Sequence, residues 1–226
     1  MLLLVTDTSG KNGVVALARA DYDPGKEVVV IATAPLAGGA FSAQLVPQIS
    51  ALLEQNNLNK SDIDAFVVVS GPGSFTGIRV GLAAIKALAE ILAKPIVSVS
   101  LLEVLAAASN HTGKVFAALD AGRAEIYAGL FDLDNSGATP LWEELRRRDE
   151  LSGFADTFLV TTDPLLAEAS RAAGIQTLLL DEITPQLIAQ CGLRKLSSNR
   201  WVSPDKLEAN YIRQSDARIA SKPILS

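Results

Sequence analysis

Imidazole, thiol and aromatic groups are all scarce in this chain. Of its 226 residues one is His and one is Cys, and aromatic residues make up 5%. A lone thiol, Cys191, cannot form an internal disulfide, which fits a reducing compartment such as the cytoplasm. One His and one Cys cannot assemble a His- or Cys-ligated zinc or iron site, and the same count removes metallopeptidase chemistry. A Ser-His-Asp triad would have to use His111, whose polar turn Asn110-His111-Thr112-Gly113 reads as a solvated helix end. With few aromatics, Val, Ile, Leu and Ala must fill the core. No apolar run approaches the length of a membrane span. The N-terminus has no basic n-region and is cut short by Thr6-Asp7, so a signal peptide is not expected either.

Positive charge is also in the minority. Lys and Arg total 20 against 25 Asp and Glu, a formal charge of −5, whereas a protein that grips nucleic acid by itself shows a basic balance or stripe. The dense basic run Arg146-Arg147-Arg148 lies among Glu143, Glu144, Asp149 and Glu150 and reads as a solvated face. What the chain does have is apolar bulk. It is 49% hydrophobic and 20% charged, which is globular, and its length suits one large domain or two small lobes.

The stretch that organises the rest is Ala65 to Ser70, an apolar β-branched run that reads as a strand buried on both faces, followed by Gly71-Pro72-Gly73. Ser74 is positioned to cap a helix from Thr76 to Ala93. The loop spacing G-x-G-x-x-x-G is one residue too long for a dinucleotide fingerprint, and Gly77 is followed by Ile78 where a P-loop needs Lys. A turn that packs a helix tightly on a strand is therefore favoured over an anion cradle. Around that helix Ile78, Leu82, Ile85, Ala89 and Leu92 form one apolar stripe, and Val80, Ala84, Ala87 and Ile91 another, with Leu88 between them. Together they cover roughly 220°, about twice what one sheet requires. Gly77 and Gly81 leave room for another backbone. The helix needs two partners, the second being either another helix of the same domain or another chain.

Before this unit the chain reads as a meander: Met1 to Thr6, Val14 to Arg19 and Glu27 to Thr33, turned at Ser9 to Gly13 and at Asp23-Pro24-Gly25. Ser42 can cap a helix running to Gln55 with Leu45, Ile49, Leu52 and Leu53 as its apolar face, although Pro47 predicts a late start or a kink. Pro95 stops the long helix. Ile96 to Val99 is a further strand, and Ser100-Leu101-Leu102-Glu103 is a capping box opening a helix to about Ser109. The pattern then restarts with strands at Lys114 to Asp120, Glu125 to Phe131 and Ala138 to Leu145. Short strands at Asp156 to Val160 and Gln176 to Leu180 flank a helix from Pro164 to Ala173. A last helix spans Pro185 to Gly192, and Lys206 to Ala220 is expected to return to the first half. The order implies α/β units with mixed sheets and an approximate duplication.

The run Gly71 to Gly81, the opening Met1 to Ser9, Asp120-Ala121-Gly122-Arg123-Ala124-Glu125-Ile126-Tyr127 and the late Tyr211-Ile212-Arg213 together resemble the TsaB (YeaZ) family, in family order and over nearly the whole chain. The resemblance implies an actin-like α/β fold of two related lobes, each with a mixed five-stranded sheet flanked by helices. Residues 1–100, joined by a segment from about 206 to 226, would make the first lobe and 101–205 the second. It implies a role in making threonylcarbamoyladenosine at position 37 of tRNA, in the cytoplasm, as the non-catalytic partner of the related enzyme TsaD. TsaE would be reached through that complex, tRNA indirectly, and the chain alone would form a homodimer. The catalytic relative's metal-binding H-x-x-x-H has no counterpart here. The excess apolar surface of the helices Ser42 to Gln55 and Thr76 to Ala93 predicts that this pairing uses Leu45, Ile49, Leu52, Leu53, Gly77, Val80, Gly81, Ala84, Ala87, Leu88 and Ile91. Phe41 stands where the family commonly has His, and Asn210 near a usual proline.

Actin-like ATPases hold nucleotide between hairpins opened by acidic residues, here Asp7-Thr8-Ser9 and Asp120-Ala121-Gly122. Asp7, Thr8, Ser9, Asp120 and Gly122 are thus nucleotide-site candidates, with turn capping by the two aspartates as the favoured reading. The glycine-rich adenosine loop is missing, since Gly192 alone follows Gly174, so ATP or ADP with Mg²⁺ is expected only in a complex with partners. A small ATP-dependent phosphotransferase using Asp7 and Asp120 is the competing function.

Overall fold

The computed structural model describes residues 1–21, 27–134, 137–154 and 157–213. The first half builds a sheet from β1 (Leu2–Asp7), β2 (Gly13–Arg19), β3 (Val29–Leu36), β4 (Ala65–Gly71) and β5 (Ile96–Ser100), ordered β3-β2-β1-β4-β5. The first three are an antiparallel meander, and β4 and β5 run parallel to β1. The second half repeats this with β6 (Gly113–Gly122), β7 (Glu125–Asp134), β8 (Gly137–Arg147), β9 (Phe158–Thr161) and β10 (Thr177–Leu179), ordered β8-β7-β6-β9-β10. Its first three strands are likewise antiparallel and its last two parallel to β6. The same order and directions in both halves make the expected duplication a structural fact, and the fold is the actin-like one.

Strand periodicity sorts the core into layers. Leu2, Leu4, Val15, Leu17, Phe66 and Val68 face α1 (Phe41–Gln55) and α2 (Phe75–Leu92). Leu3, Val5, Ala16, Val67, Val69, Val97 and Val99 face the other way, onto Ile188, Ala189, Cys191 and Leu193 of α5 (Pro185–Ser197) and Val104 of α3 (Leu101–Ala108). In the second half, Val115, Ala117, Phe131 and Val160 pack on α3, and Phe116, Ala118, Ile126 and Leu159 on Leu166 of α4 (Pro164–Ala172). The helix after each sheet therefore packs on the other sheet. This differs from the expectation that 101–205 belong together: α5 returns to the first sheet well before residue 206. Its buried residues Ile188, Ala189, Cys191 and Leu193 join the core of the first sheet, and Gly192 lets it lie against Val67, where a Cβ would stand 2.6 Å from the valine methyls.

Several local expectations change for physical reasons. Ser42 is not the cap of α1, which starts at Phe41 with no side-chain cap, while Gln44 reaches back to accept the Ala37 N–H at 2.8 Å. The helix runs through Pro47, which lies on the exposed side where water can serve the carbonyl that loses its donor. Ser100 does cap α3, accepting the Leu102 N–H at 3.2 Å, but Glu103 does not close a capping box. Instead its buried carboxylate meets Lys195 Nζ at 2.7 Å, tying α3 to α5. The turn Asp23-Pro24-Gly25 and everything past residue 213 lie outside the described residues. Before that, Leu207 packs into the first core and Ile212 against the second. The Asn210 N–H donates to Ser70 O at 2.8 Å, and its side-chain amide reaches Glu143 on β8.

Lys195→Met leaves the Glu103 carboxylate buried without its cation and is expected to cost about 3 kcal/mol in urea denaturation. Glu103→Leu combined with Lys195→Met should recover most of that loss, because no charge then remains buried.

A candidate docking face and the loops beneath it

All seven residues of β4 are buried, and the chain leaves it through Gly71 and Gly73 at φ of 127° and 152°. Both values lie in the region that favours glycine. Ser74 caps α2 as the sequence predicts, accepting the Gly77 N–H at 3.2 Å, and its own N–H donates to Ser9 O at 2.6 Å. The first turns of α2 rest directly on the loop after β1. A Cβ on Gly77 would stand 2.1 Å from Thr8 O, and one on Gly81 2.3 Å from Thr8 Oγ1. That buried hydroxyl donates to Gly77 O at 2.8 Å. The two glycines four apart thus admit the chain's own Thr8. Phe41 is buried against Gly77 and Gly13.

The aspartates of the two hairpins hold their own turns. Asp7 Oδ1 accepts from Ser9 N at 2.8 Å and Ser9 Oγ at 2.6 Å. Burial raises its pKa above the ordinary 3.8, with the two Ser9 bonds opposing. Asp120 is exposed. Its Oδ1 accepts from Gly122 N at 2.9 Å and from Arg148 Nη2 at 2.7 Å. The Gly122 N–H, and then Arg148, hold its pKa below the ordinary value. Arg148 also reaches Asp163, the cap of α4, at 3.4 Å. Asp7, Thr8 and Ser9 are therefore brought together with Ser74, Gly77 and Gly81, whereas Asp120 and Gly122 are grouped with Arg148 and Asp163. Among the described residues no group of three or more His, Cys, Asp or Glu is placed to hold a metal ion. His111 is exposed and stacks on Phe158 at 4.4 Å.

The apolar surface of α2 divides in two. Gly77, Ile78, Gly81, Leu82, Ile85 and Ala89 are buried within the chain, as are Leu45, Ile49, Leu52 and Leu53 of α1. These helices pack on the sheet and on each other, so Leu45, Ile49, Leu52, Leu53, Gly77 and Gly81 are core and not surface, which corrects that part of the expected interface. Val80, Ala84 and Leu88 are half-buried, Ala87 is exposed, and Ile91 is 75% exposed, with Val46 of α1 at 46%. At the N-terminal end of this strip a cleft of about 350 Å³ is lined by Lys11, Phe41, Ser42, Thr76, Gly77 and Val80 among others.

A cluster that the sequence does not reveal flanks the same face. The Arg79 guanidinium lies 3.7 Å above the Phe75 ring, its Nε donates to Tyr211 Oη at 2.9 Å, and the two rings are 4.7 Å apart. Arg213 next along pairs with Glu125 and lies over Tyr127 at 5.9 Å. Three of the sequence segments singled out above thus converge in space. The one available signal was their company, since spacing cannot place Tyr211 beside Arg79.

Residues 35–143 match the family model described as TsaD: tRNA N6-adenosine threonylcarbamoyltransferase. The tRNA threonylcarbamoyladenosine biosynthesis protein TsaB of Bacillus subtilis is 35% identical over 136 residues, 60% of this chain and 57% of the relative. Its counterpart in Escherichia coli is 32% identical over 97 residues, 42% of each chain. The chain thus spans about half the length of these two relatives. An uncharacterized protein of Mycobacterium tuberculosis is 35% identical over 180 residues, 79% of this chain and 78% of the relative. YeaZ from Pseudomonas aeruginosa has the same fold, with a TM-score of 0.72 at 22% identity over 93% of this chain and 99% of that one. No helix among the described residues is long and apolar enough to cross a membrane.

Two measurements check the local picture. Gly77→Ala gains about 1 kcal/mol of helix propensity but drives a methyl into the Thr8 carbonyl. A net loss of about 1–3 kcal/mol is expected in chemical denaturation. Asp7→Asn keeps an oxygen acceptor for both Ser9 bonds and removes a desolvated charge. Because the folded-state pKa of Asp7 is raised, its ionisation opposes folding above that pKa and has no effect below the unfolded value of 3.8. The variant should therefore be more stable than the wild type at neutral pH, with the advantage fading as pH falls through the raised pKa.

Proposed function

Because the chain belongs to the TsaB (YeaZ) family, we propose that it serves the formation of the threonylcarbamoyl group on N6 of adenosine 37 in tRNA. It does so as a non-catalytic scaffold that activates TsaD. The carrying observation is the face of α2: an 18-residue helix whose inner stripe is buried in its own chain while Ile91 stays 75% exposed beside Ala87, Ala84 and Val80. An aliphatic surface of this kind is satisfied by a protein partner. TsaD is a relative of this fold and can take the same face that a second copy takes when the chain is alone.

Two further features support a subunit without catalysis of its own. A single histidine and a single cysteine leave no pair for a metal site, and the carboxylates of Asp7 and Asp120 are engaged in their own turns. Nucleotide with Mg²⁺ then belongs to the assembly with TsaD and TsaE and not to the isolated chain. The net charge of −5 supports indirect access to tRNA, in a cytoplasmic complex. Within this scaffold the lobes divide near Ser100, with α5 and the segment after it returning to the first.

The test is co-purification with the same organism's TsaD and an assay of threonylcarbamoyladenosine with and without this chain. Product is expected only when both are present, and full formation by TsaD without this chain would overturn the scaffold role. Ile91→Arg should leave the melting temperature unchanged, because the side chain is mostly in solvent, and reduce both co-purification and product. Micromolar Mg-ATP binding with turnover by the isolated chain would favour a phosphotransferase instead.

A further inference from the structure

We propose that a cleft between the end of α2 and the segment after α5 takes the cationic end of a Lys or Arg side chain, presented by the protein that docks on α2. The inference rests on the reading of α2's outer face as a docking surface and adds a second site with its own chemistry. The cleft has a volume of about 530 Å³ and is walled by Ala89, Glu90, Ala93, Pro95, Trp201 and Pro204 among others. Its shape is held by the backbone. Val202 bridges Ile96 of β5, donating to Ile96 O at 2.8 Å and accepting from Ile96 N at 3.3 Å. Trp201 enters that bridge with its side chain 49% exposed. A site fixed in this way has little freedom left to lose when it is filled.

Three features of the walls favour a cation. Among the described residues the Glu90 carboxylate has no ionic or hydrogen-bonding partner. Lys94 also lines the cleft, but Ala93 lies between them at a φ of 51°, which breaks the helical geometry that would pair the two side chains. Next, α2 ends here with no basic residue in its last turn, so the negative end of its dipole is uncompensated. Finally, no ring or cation among the described residues lies on the Trp201 indole, whose face attracts positive charge. Ser203, in the same lining, donates to the Asp205 carboxylate and holds its pKa below the ordinary value. Two carboxylates thus stand around the cleft against one ammonium group.

The apolar walls by themselves would suit any aliphatic group. Such a group would strip water from the unpaired Glu90 carboxylate with nothing to replace it. A Lys or Arg side chain meets both demands, because its stem can lie along Ala89, Ala93 and Pro95 while its head reaches Glu90 and the indole. A protein carries such a group to the right place. Glu90 and Ile91 are neighbours on the last turn of α2, so whatever covers the exposed Ile91 also reaches the mouth of the cleft. Nucleic acid, with its negative backbone, is repelled by the same carboxylates.

Calorimetric titration of the full chain with the same organism's TsaD tests the site, each variant first being shown to keep the wild-type melting temperature. Glu90→Gln is expected to weaken binding about fivefold or more and to flatten its dependence on salt. Trp201→Leu should weaken it comparably, and Trp201→Tyr, which restores an aromatic face, should recover it to within about threefold. Ile91→Arg separates this inference from the reading beneath it. If Ile91→Arg weakens binding while Glu90→Gln and Trp201→Leu leave it unchanged, the cation site is overturned and the docking face stands. Weakening by Trp201→Leu without any effect of Glu90→Gln means that the cleft holds an apolar side chain, which also overturns the cation. If none of the three variants alters binding, both the site and the docking face fall.

Discussion

The seating of α2 on Thr8 is the constraint on which the rest of the molecule depends. A helix entering from a tight turn is free to roll about its axis unless something fixes it. Here the Thr8 carbonyl and hydroxyl occupy the space that side chains at positions 77 and 81 would need, and the hydroxyl donates to Gly77 O. With the roll fixed, Ile78, Leu82, Ile85 and Ala89 point at the sheet, and Val80, Ala87 and Ile91 are left outside. The exposed strip follows from where two glycines were placed to meet a threonine.

The second constraint is the exchange of helices between the halves. α3 carries residues of both inner cores, with Val104 on the first sheet and Leu102, Leu105 and Ala106 on the second. α5 faces it from the other half, and the buried Glu103–Lys195 pair joins them. The segment after α5 adds a third tie through Asn210, which bonds Ser70 in one sheet and Glu143 in the other. Burial pushes the Glu143 pKa up while bonds from Ser100 and Asn210 pull against it, as befits a carboxylate closed between two layers. The halves are duplicated in topology but do not fold as separate beads, because each completes the other's core.

Much of the fold was legible because its signals are local. The β-branched run of β4, the meander before it, the cap at Ser74 and the stop at Pro95 are set by neighbouring residues, and element ends moved by only a few positions. The duplication was legible as order, not as similarity. The site was legible in part. The excess of apolar surface on α2 could be counted, but its division into core and exterior could not. A period of 3.6 reports that two faces are greasy and is silent about which one the same chain will cover. For that reason Leu45, Ile49, Leu52, Leu53, Gly77 and Gly81 were placed at an interface and proved to be interior.

By itself, the amino-acid sequence determined composition-level chemistry and local structure: too few imidazoles and thiols for a metal site, an acidic balance, strands and helices in a repeating order, and a helix with more apolar surface than one sheet can take. These depend on residue counts and on spacings of a few residues. Tertiary structure alone decided which residues distant in the chain meet: Thr8 with Gly81, Glu103 with Lys195, Arg79 with Tyr211, and α5 with the first sheet. Such contacts depend on how layers stack in space, and no periodicity along the chain encodes the distance between residues that far apart.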